Sequence, residues 1–416
     1  MTRSGPMAQH ERIPSLDAMR GVALFGILFV NMTWFTGFAV MSSEERAGLG
    51  TQAIDDVVYW LVHCFVDGKF WSLFALLFGV GFAVQLERGA TPARFVRRMT
   101  ILLVIGLLHA IFVWFGDIVS LYAATGFILL LFARCRARAL VICAVALLLT
   151  PIVVNAGWLA VELATRTPGA DIVDPGHGPA ALLVGFSDGS YGDALRSNWA
   201  FLVERWVLAV YTSRFPALLG MFLLGFAAVR YGMAYEAARH TKAARRLLAW
   251  GLLVGLVANA FLAFNAAPLR PPTWFGWTCA TIGAVGIPAL ALAYASGLLL
   301  AYETKTGRRI LRLFAPAGRM SLTNYLAQSI IGVLLFYGCG LGWWGRFGIT
   351  WSCGYIVVLF TVQSLASAWW LSVFEYGPVE WLWRCLTYGR WLSLRRRKGQ
   401  DAVDVGAQFD SIVRAR

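Results

Sequence analysis

Apolar runs of about 20 residues alternate along this chain with short polar connections, and the apolar positions are continuous rather than alternating. Such runs cover 21–40, 66–86, 97–115, 117–133, 139–161, 208–229, 247–265, 277–301, 321–339 and 349–371. Each approaches the ~20 residues that a helix needs to cross the hydrocarbon of a bilayer. The pattern predicts an all-α fold, a polytopic membrane helical bundle of about ten transmembrane helices. Composition agrees: 59% of the 416 residues are hydrophobic, 14% are charged and mean hydropathy is +0.65. A soluble domain is nearer half apolar and a quarter charged.

The net charge of +14 does not point to nucleic acid, because the basic residues fall in short clusters between apolar runs. Arg94/Arg97/Arg98, Arg134/Arg136/Arg138, Arg245/Arg246 and Arg308/Arg309/Arg312 are such clusters. The positive-inside rule then places both termini in the cytoplasm. The first run starts only at Gly21 and reads as an uncleaved start-transfer segment. Five segments follow: a cytoplasmic stretch 1–20, a five-helix core 21–161, an extracytoplasmic loop 162–207, a second five-helix bundle 208–371, and an interfacial helix with basic tail 372–416. The loop carries "TPGADIVDPGHGP", with a short surface helix expected over 193–205. The tail sequence "RRRKGQ" suits anionic membrane lipids as partners. "LLFGVGFAVQLERG…RRMTILLVIGLL" and "GMFLLGFAAVRYG…RRLLAWGLLVGLV" are weakly alike, as in a duplicated hairpin.

Polar groups inside these runs are the candidate chemistry, since each costs ~2.5–3.5 kcal/mol in hydrocarbon. His109 lies about two turns inside the outer end of the third run. Asp117 follows in an "FGD" turn expected to fold its carboxylate back onto the imidazole, as a general base requires. Asp67 and Lys69 lie at an outer boundary, with Lys69 either snorkelling or lining an outer cavity. His63 nearby reads as interfacial packing. Ser321, Asn324, Tyr325 and Gln328, at spacings of 3, 4 and 7, share one helical face. That face is either glue between helices or the wall of a polar cavity. Arg384 lies in an aromatic-rich interfacial segment, "EWLWRCLTYGRW", where it can meet an anionic ligand. In "SLDAMRGVALFGILFVN", Ser15 is the expected N-cap and Asp17 and Arg20 pair at i,i+3. Asn31 lies ~16 Å deeper on nearly the same face. No Cys/His spacing suits a metal. Cys339 and Cys353 flank one outer loop, a spacing that permits a disulfide. Soluble signatures such as Walker A, GxSxG or HExxH are absent from the sequence.

"RIPSLDAMRGVALFGILFVN", "DGKFWSLFALLFGVGFA", "GLLHAIFVWFGDIVSLYA", "GRMSLTNYLAQS" and "YGPVEWLWRCLTYGR" occur in the order found in the YeiB-like bacterial inner-membrane family, which the chain resembles over almost its whole length. The N-terminal part is similar to the wider transmembrane acyltransferase superfamily, which includes heparan-alpha-glucosaminide N-acetyltransferase and bacterial sugar O-acyltransferases. The O-acyltransferases carry an Arg and, after ten residues, a His; here Arg20 keeps the interval and Asn31 stands in place of the His. The heparan enzyme's branch also has Asn there and draws a His from a following outer segment, where this chain has Ser42. The resemblance implies acyl-CoA as co-substrate with no tightly bound cofactor, a sugar, glycan or lipid-linked hydroxyl or amine as acceptor, and a homodimer in the bacterial inner membrane. His109 is then the expected base, steered by Asp117, with Asn31 as oxyanion donor. Asp17, Arg20, Lys69, Arg384 and the polar face of 321–328 are the expected substrate-binding groups. A small-molecule or lipid-precursor transporter is the alternative, since polar residues at several depths suit it equally.

Overall fold

The computed structural model describes residues 13–165, 180–233, 240–265 and 273–396. The "TPGADIVDPGHGP" segment, residues 1–12 and the tail from 397 lie outside the described residues. The described residues form helices with no strand, an all-α polytopic bundle. Among the described residues seven helices are long and apolar enough to cross a membrane, or up to eight if one bent pair counts as a span. The difference from ten has a geometric cause. The run 117–133 becomes a short helix α6 (Val119–Ile128) and a 3-10 turn, and 321–339 becomes the 16-residue α15 (Ser321–Phe336). The run 208–229 is divided between α9 (Tyr191–Tyr211) and α10 (Arg214–Arg230), which meet at a 67° bend. Ser213, at the joint, has φ of 55°, a left-handed conformation that no continuous helix contains. The surface helix expected over 193–205 is the body of α9.

In lipid every backbone polar group must be paired within the protein, and helices do this segment by segment. What joins the helices is close packing of small residues. In α4 (Lys69–Glu87), a Cβ at Gly79 would collide with the Phe222 carbonyl of α10. Gly225 of α10 meets the Leu76 carbonyl of α4 in the same way. Around this contact Phe78 stacks on Phe222 with ring centroids 4.6 Å apart, and Phe82 meets Phe226 edge to face at 5.3 Å. The main core spans α1 (Pro14–Phe35), α4, α5 (Pro92–Phe112), α6, α10, α15 and α16 (Ile349–Val373).

One expectation is corrected and one open pairing is answered. Ser15 does not cap α1: Pro14, with φ fixed for a helix, opens it, Ile13 stands at the N-cap, and Ser15 is buried in the first turn. Cys339 and Cys353 are both free thiols, as are the other five cysteines. Cys339 packs against the apolar core instead.

At the arginine-rich end, α14 (Ala315–Arg319) lies across the start of α1, where Gly318 touches the Asp17 carbonyl and Gly21 the Phe314 carbonyl. The amphipathic α17 (Pro378–Tyr388) follows α16 and packs on α5 and α15.

Candidate functional site

The site begins where α5 stops. The N–H groups of Val113 and Trp114 both donate to the His109 carbonyl at 2.9 Å, so the helix ends within one turn of the imidazole. The chain then reverses through Gly116. Asp117 returns with Oδ1 3.0 Å from His109 Nδ1, and its Oδ2 accepts the Ser120 N–H at 2.6 Å, holding the start of α6. Gly106 on α5 makes room, because a Cβ there would strike the Ser120 backbone. His109 is 4% exposed and Asp117 2%. An Nδ1–H donated to the carboxylate leaves Nε2 with its lone pair, and that atom is buried without a partner.

Asn198 of α9 fixes the turn from outside. Its Nδ2 donates to the carbonyls of Val113 (3.2 Å) and Ile111 (3.4 Å), and its Oδ1 accepts the Phe115 N–H at 3.2 Å. From the other side the Tyr325 hydroxyl of α15 accepts the Ile118 N–H at 3.1 Å and faces the Gly116 carbonyl at 3.5 Å. The Tyr325 ring lies 5.4 Å from the His109 ring.

A cavity of about 750 Å³ runs from the arginine-rich end to residues of this turn. Its mouth carries six arginines, Arg20, Arg88, Arg94, Arg98, Arg319 and Arg384, against three acids, Asp17, Glu375 and Glu380. Its walls are apolar, with Leu24, Ile27, Leu77, Phe82, Met99 and Leu102 among them. It ends at Ile118, Tyr122 and Tyr325, one ring short of His109. Several arginines are held by aromatic faces: Arg98 lies 3.9 Å from the Trp383 ring centroid, Arg384 4.7 Å from Tyr376 and Arg94 5.4 Å from Tyr388. The Trp383 indole N–H also donates to the Arg98 carbonyl at 2.9 Å. Arg319 has two guanidinium nitrogens, Nε and Nη2, buried without a partner.

Glu380 ties α17 to α15. Its Oε1 accepts the N–H groups of Leu322 (2.8 Å) and Thr323 (3.0 Å), and its Oε2 accepts the Thr323 hydroxyl at 2.5 Å. It thus serves as an N-terminal cap supplied by another helix, at the positive end of the α15 dipole. Burial still pushes its carboxyl above the ordinary 4.5, with these hydrogen bonds opposing the rise.

The remaining expected site residues separate. Asp17 and Arg20 pair at 3.0 Å and line the mouth with Arg384. The polar face of α15 splits in two. Ser321 and Tyr325 line the cavity. Asn324 and Gln328 turn to α16, where Asn324 Nδ2 donates to Ser367 Oγ at 2.9 Å and Gln328 Nε2 to Gln363 Oε1 at 2.9 Å. Lys69 is 2% exposed and donates to the His63 carbonyl at 2.6 Å, joining α4 to α3 (Gln52–Phe65) outside the cavity. Asn31 is buried one turn beyond Ile27, and its Nδ2 has no partner. The expected sites thus resolve into a mouth, a buried pair and an orphaned amide, with Lys69, Asn324 and Gln328 spent on packing.

A family model described as "protein of unknown function (DUF418)" matches residues 228–390, which hold α15, α17 and half of the mouth. YxaH of Bacillus subtilis (strain 168) is 32% identical over 95% of this chain and 99% of its own length. YeiB of Escherichia coli (strain K12) is 31% identical over 91% of this chain and 96% of its own. The chain belongs to the YeiB-like family. A Bacillus acidopullulyticus protein encoded 3′ of an amylase is 24% identical, again over 95% of this chain. The YeiB-like relatives thus match nearly the whole chain, whereas the DUF418 match leaves out the His109–Asp117 turn and the mouth residues Asp17, Arg20, Arg88, Arg94 and Arg98.

Four residues of this YeiB-like chain escaped the sequence reading as individual sites. Arg98 and Arg319 look in sequence like any other cation of a positive-inside cluster. Asn198 falls in the surface helix expected over 193–205, which carried no expectation of contact with the turn. Arg205 of α9 lies within electrostatic reach of both Asp117 and Tyr325, and no motif marks it.

Proposed function

We propose that the protein is a membrane-embedded acyltransferase that takes an acyl group from acyl-CoA at its arginine-rich, cytoplasmic end and passes it to a hydroxyl or amine acceptor. The observation that carries this reading is the cavity, which is cationic at the mouth, apolar along its walls, and closed by one aromatic ring in front of a buried His–Asp pair. Arginine suits the phosphates of the donor, because its planar guanidinium offers paired N–H groups to oxyanions. The apolar barrel suits the acyl-pantetheine arm.

His109 Nε2 takes the proton of the acceptor, whose oxygen or nitrogen attacks the thioester carbon. The tetrahedral oxyanion collapses, the carbon–sulfur bond breaks, and the thiolate recovers the proton from the imidazolium. Asp117 holds the tautomer and stabilises the transient imidazolium. In this reading the Asn31 amide, whose Nδ2 is buried without a partner, is assigned to donate to the oxyanion.

Binding of acyl-CoA to the purified, folded protein tests the reading. We expect Arg20→Ala and Arg319→Ala to weaken binding, and His109→Ala to bind donor without turning it over. A folded protein that binds no acyl-CoA overturns it. One observation favours a solute transporter instead: the 67° break between α9 and α10, since transporters use interrupted helices. Solute counterflow in liposomes that persists in His109→Ala supports that second reading.

A further inference from the structure

The cavity and the His109–Asp117 pair belong to one proposed reaction, yet they do not share a space. Neither His109 nor Asp117 lines the cavity, while Ile118 and Tyr325, their immediate neighbours, do. Tyr325 is 3% exposed and presents its ring to both sides, toward the cavity and toward the imidazole 5.4 Å away.

Its hydroxyl is fastened to the turn that carries Asp117, through the Ile118 N–H at 3.1 Å and the Gly116 carbonyl at the long distance of 3.5 Å. The turn does not depend on that attachment. Asn198 supplies three hydrogen bonds to it, and Asp117 itself binds the Ser120 N–H. The ring is therefore supported on a frame that stands without it. Beyond it, His109 Nε2 is buried and unpaired, a position that costs free energy unless something reaches it.

We infer that Tyr325 is the specificity-determining partition of the site: its ring decides what passes from the arginine-rich cavity to His109. The inference rests on the donor route proposed above and adds to it a single residue through which that route must run. The ring, rather than the hydroxyl, is the barrier, so phenylalanine keeps the partition and a small side chain removes it.

Carbethoxylation of His109 by diethyl pyrocarbonate, read by mass spectrometry, tests this without any acyl donor. His63, whose carbonyl holds Lys69 outside the cavity, is the internal reference in every sample. We expect slow labelling of His109 in the wild type and in Tyr325→Phe, and labelling at least about tenfold faster in Tyr325→Ala, which equals ~1.4 kcal/mol of barrier. Adding Gly81→Trp, which projects an indole into the cavity, returns the Tyr325→Ala rate to slow. Equal rates in wild type and Tyr325→Ala overturn the inference. So does a Tyr325→Phe that labels as fast as Tyr325→Ala, or a Gly81→Trp that leaves the fast rate untouched. If Tyr325→Ala does not melt cooperatively, Tyr325→Leu takes its place, with the same expected outcome. A partition disproved in this way leaves acyl-CoA binding intact, and absent acyl-CoA binding leaves the labelling result standing.

Discussion

The Nδ1 of His109 and the Oδ1 of Asp117, eight residues apart in sequence, stand 3.0 Å apart across a helix end. The carboxylate reaches the imidazole because α5 stops three residues after His109. Its second oxygen is already spent on the Ser120 N–H. Asp117→Asn keeps the shape and removes the charge that stabilises the imidazolium. We expect acyl transfer to fall by ~10²–10⁴, with donor binding within about twofold of wild type. Parallel measurement of turnover and acyl-CoA affinity checks the split.

Gly81 lines the cavity, and a Cβ there meets only the Arg20 guanidinium at 3.4 Å, an ordinary contact. Gly81→Phe therefore fills the passage without displacing a helix. Acyl-CoA binding should drop at least about tenfold, while the melting temperature in detergent stays within a few degrees. Equal loss of both would assign Gly81 to packing.

Gln363 of α16 accepts from Gln328 at 2.9 Å and donates to the Asn324 carbonyl at 3.2 Å. Gln363→Ala should destabilise the bundle by ~0.6–2 kcal/mol and leave donor binding unchanged. Ser321→Trp, one turn before Asn324 and on the cavity side of α15, should do the reverse. Thermal melting and acyl-CoA titration of the two variants separate the halves of this helical face.

Glu380 has its carboxyl raised above 4.5 by burial. A group whose pKa is higher in the folded state gives its full stabilising contribution below the unfolded value and loses it as pH rises through the folded value. Melting of the wild type should accordingly lose stability as pH climbs from about 4.5, and Glu380→Gln should flatten that part of the profile. The same variant keeps the Thr323 contact through its amide, so a collapse of α17 packing at all pH values would contradict the assignment.

The bundle was legible in the sequence because a lipid solvent leaves a chain few choices: long apolar runs must become helices. The His109–Asp117 contact was legible too, since an FGD tripeptide after an apolar run marks a reversal at a known distance from the imidazole. Lys69 was not, because nothing in a sequence tells a lysine that satisfies a neighbouring carbonyl from one that faces a ligand. Asn324 and Tyr325 differ by one residue, and 100° of helix turn sends one to α16 and the other to the cavity. Arg98 and Arg319 were hidden among cations that the positive-inside rule accounts for in bulk. Only packing against Trp383, or against the α1–α14 contact, distinguishes them.

The contact of Gly318 with the Asp17 carbonyl and of Gly21 with the Phe314 carbonyl has a mechanical consequence. Backbone bears on backbone there, so the segment bearing Asp17, Arg20 and Arg319 acts as an anvil. The facing side is different in kind: Arg94, Arg98 and Arg384 rest on the flat faces of Tyr388, Trp383 and Tyr376. The two sides of the entrance are thus held differently, the α1 side by backbone against backbone and the α17 side by ring faces together with the hydrogen bonds of Glu380 and Trp383.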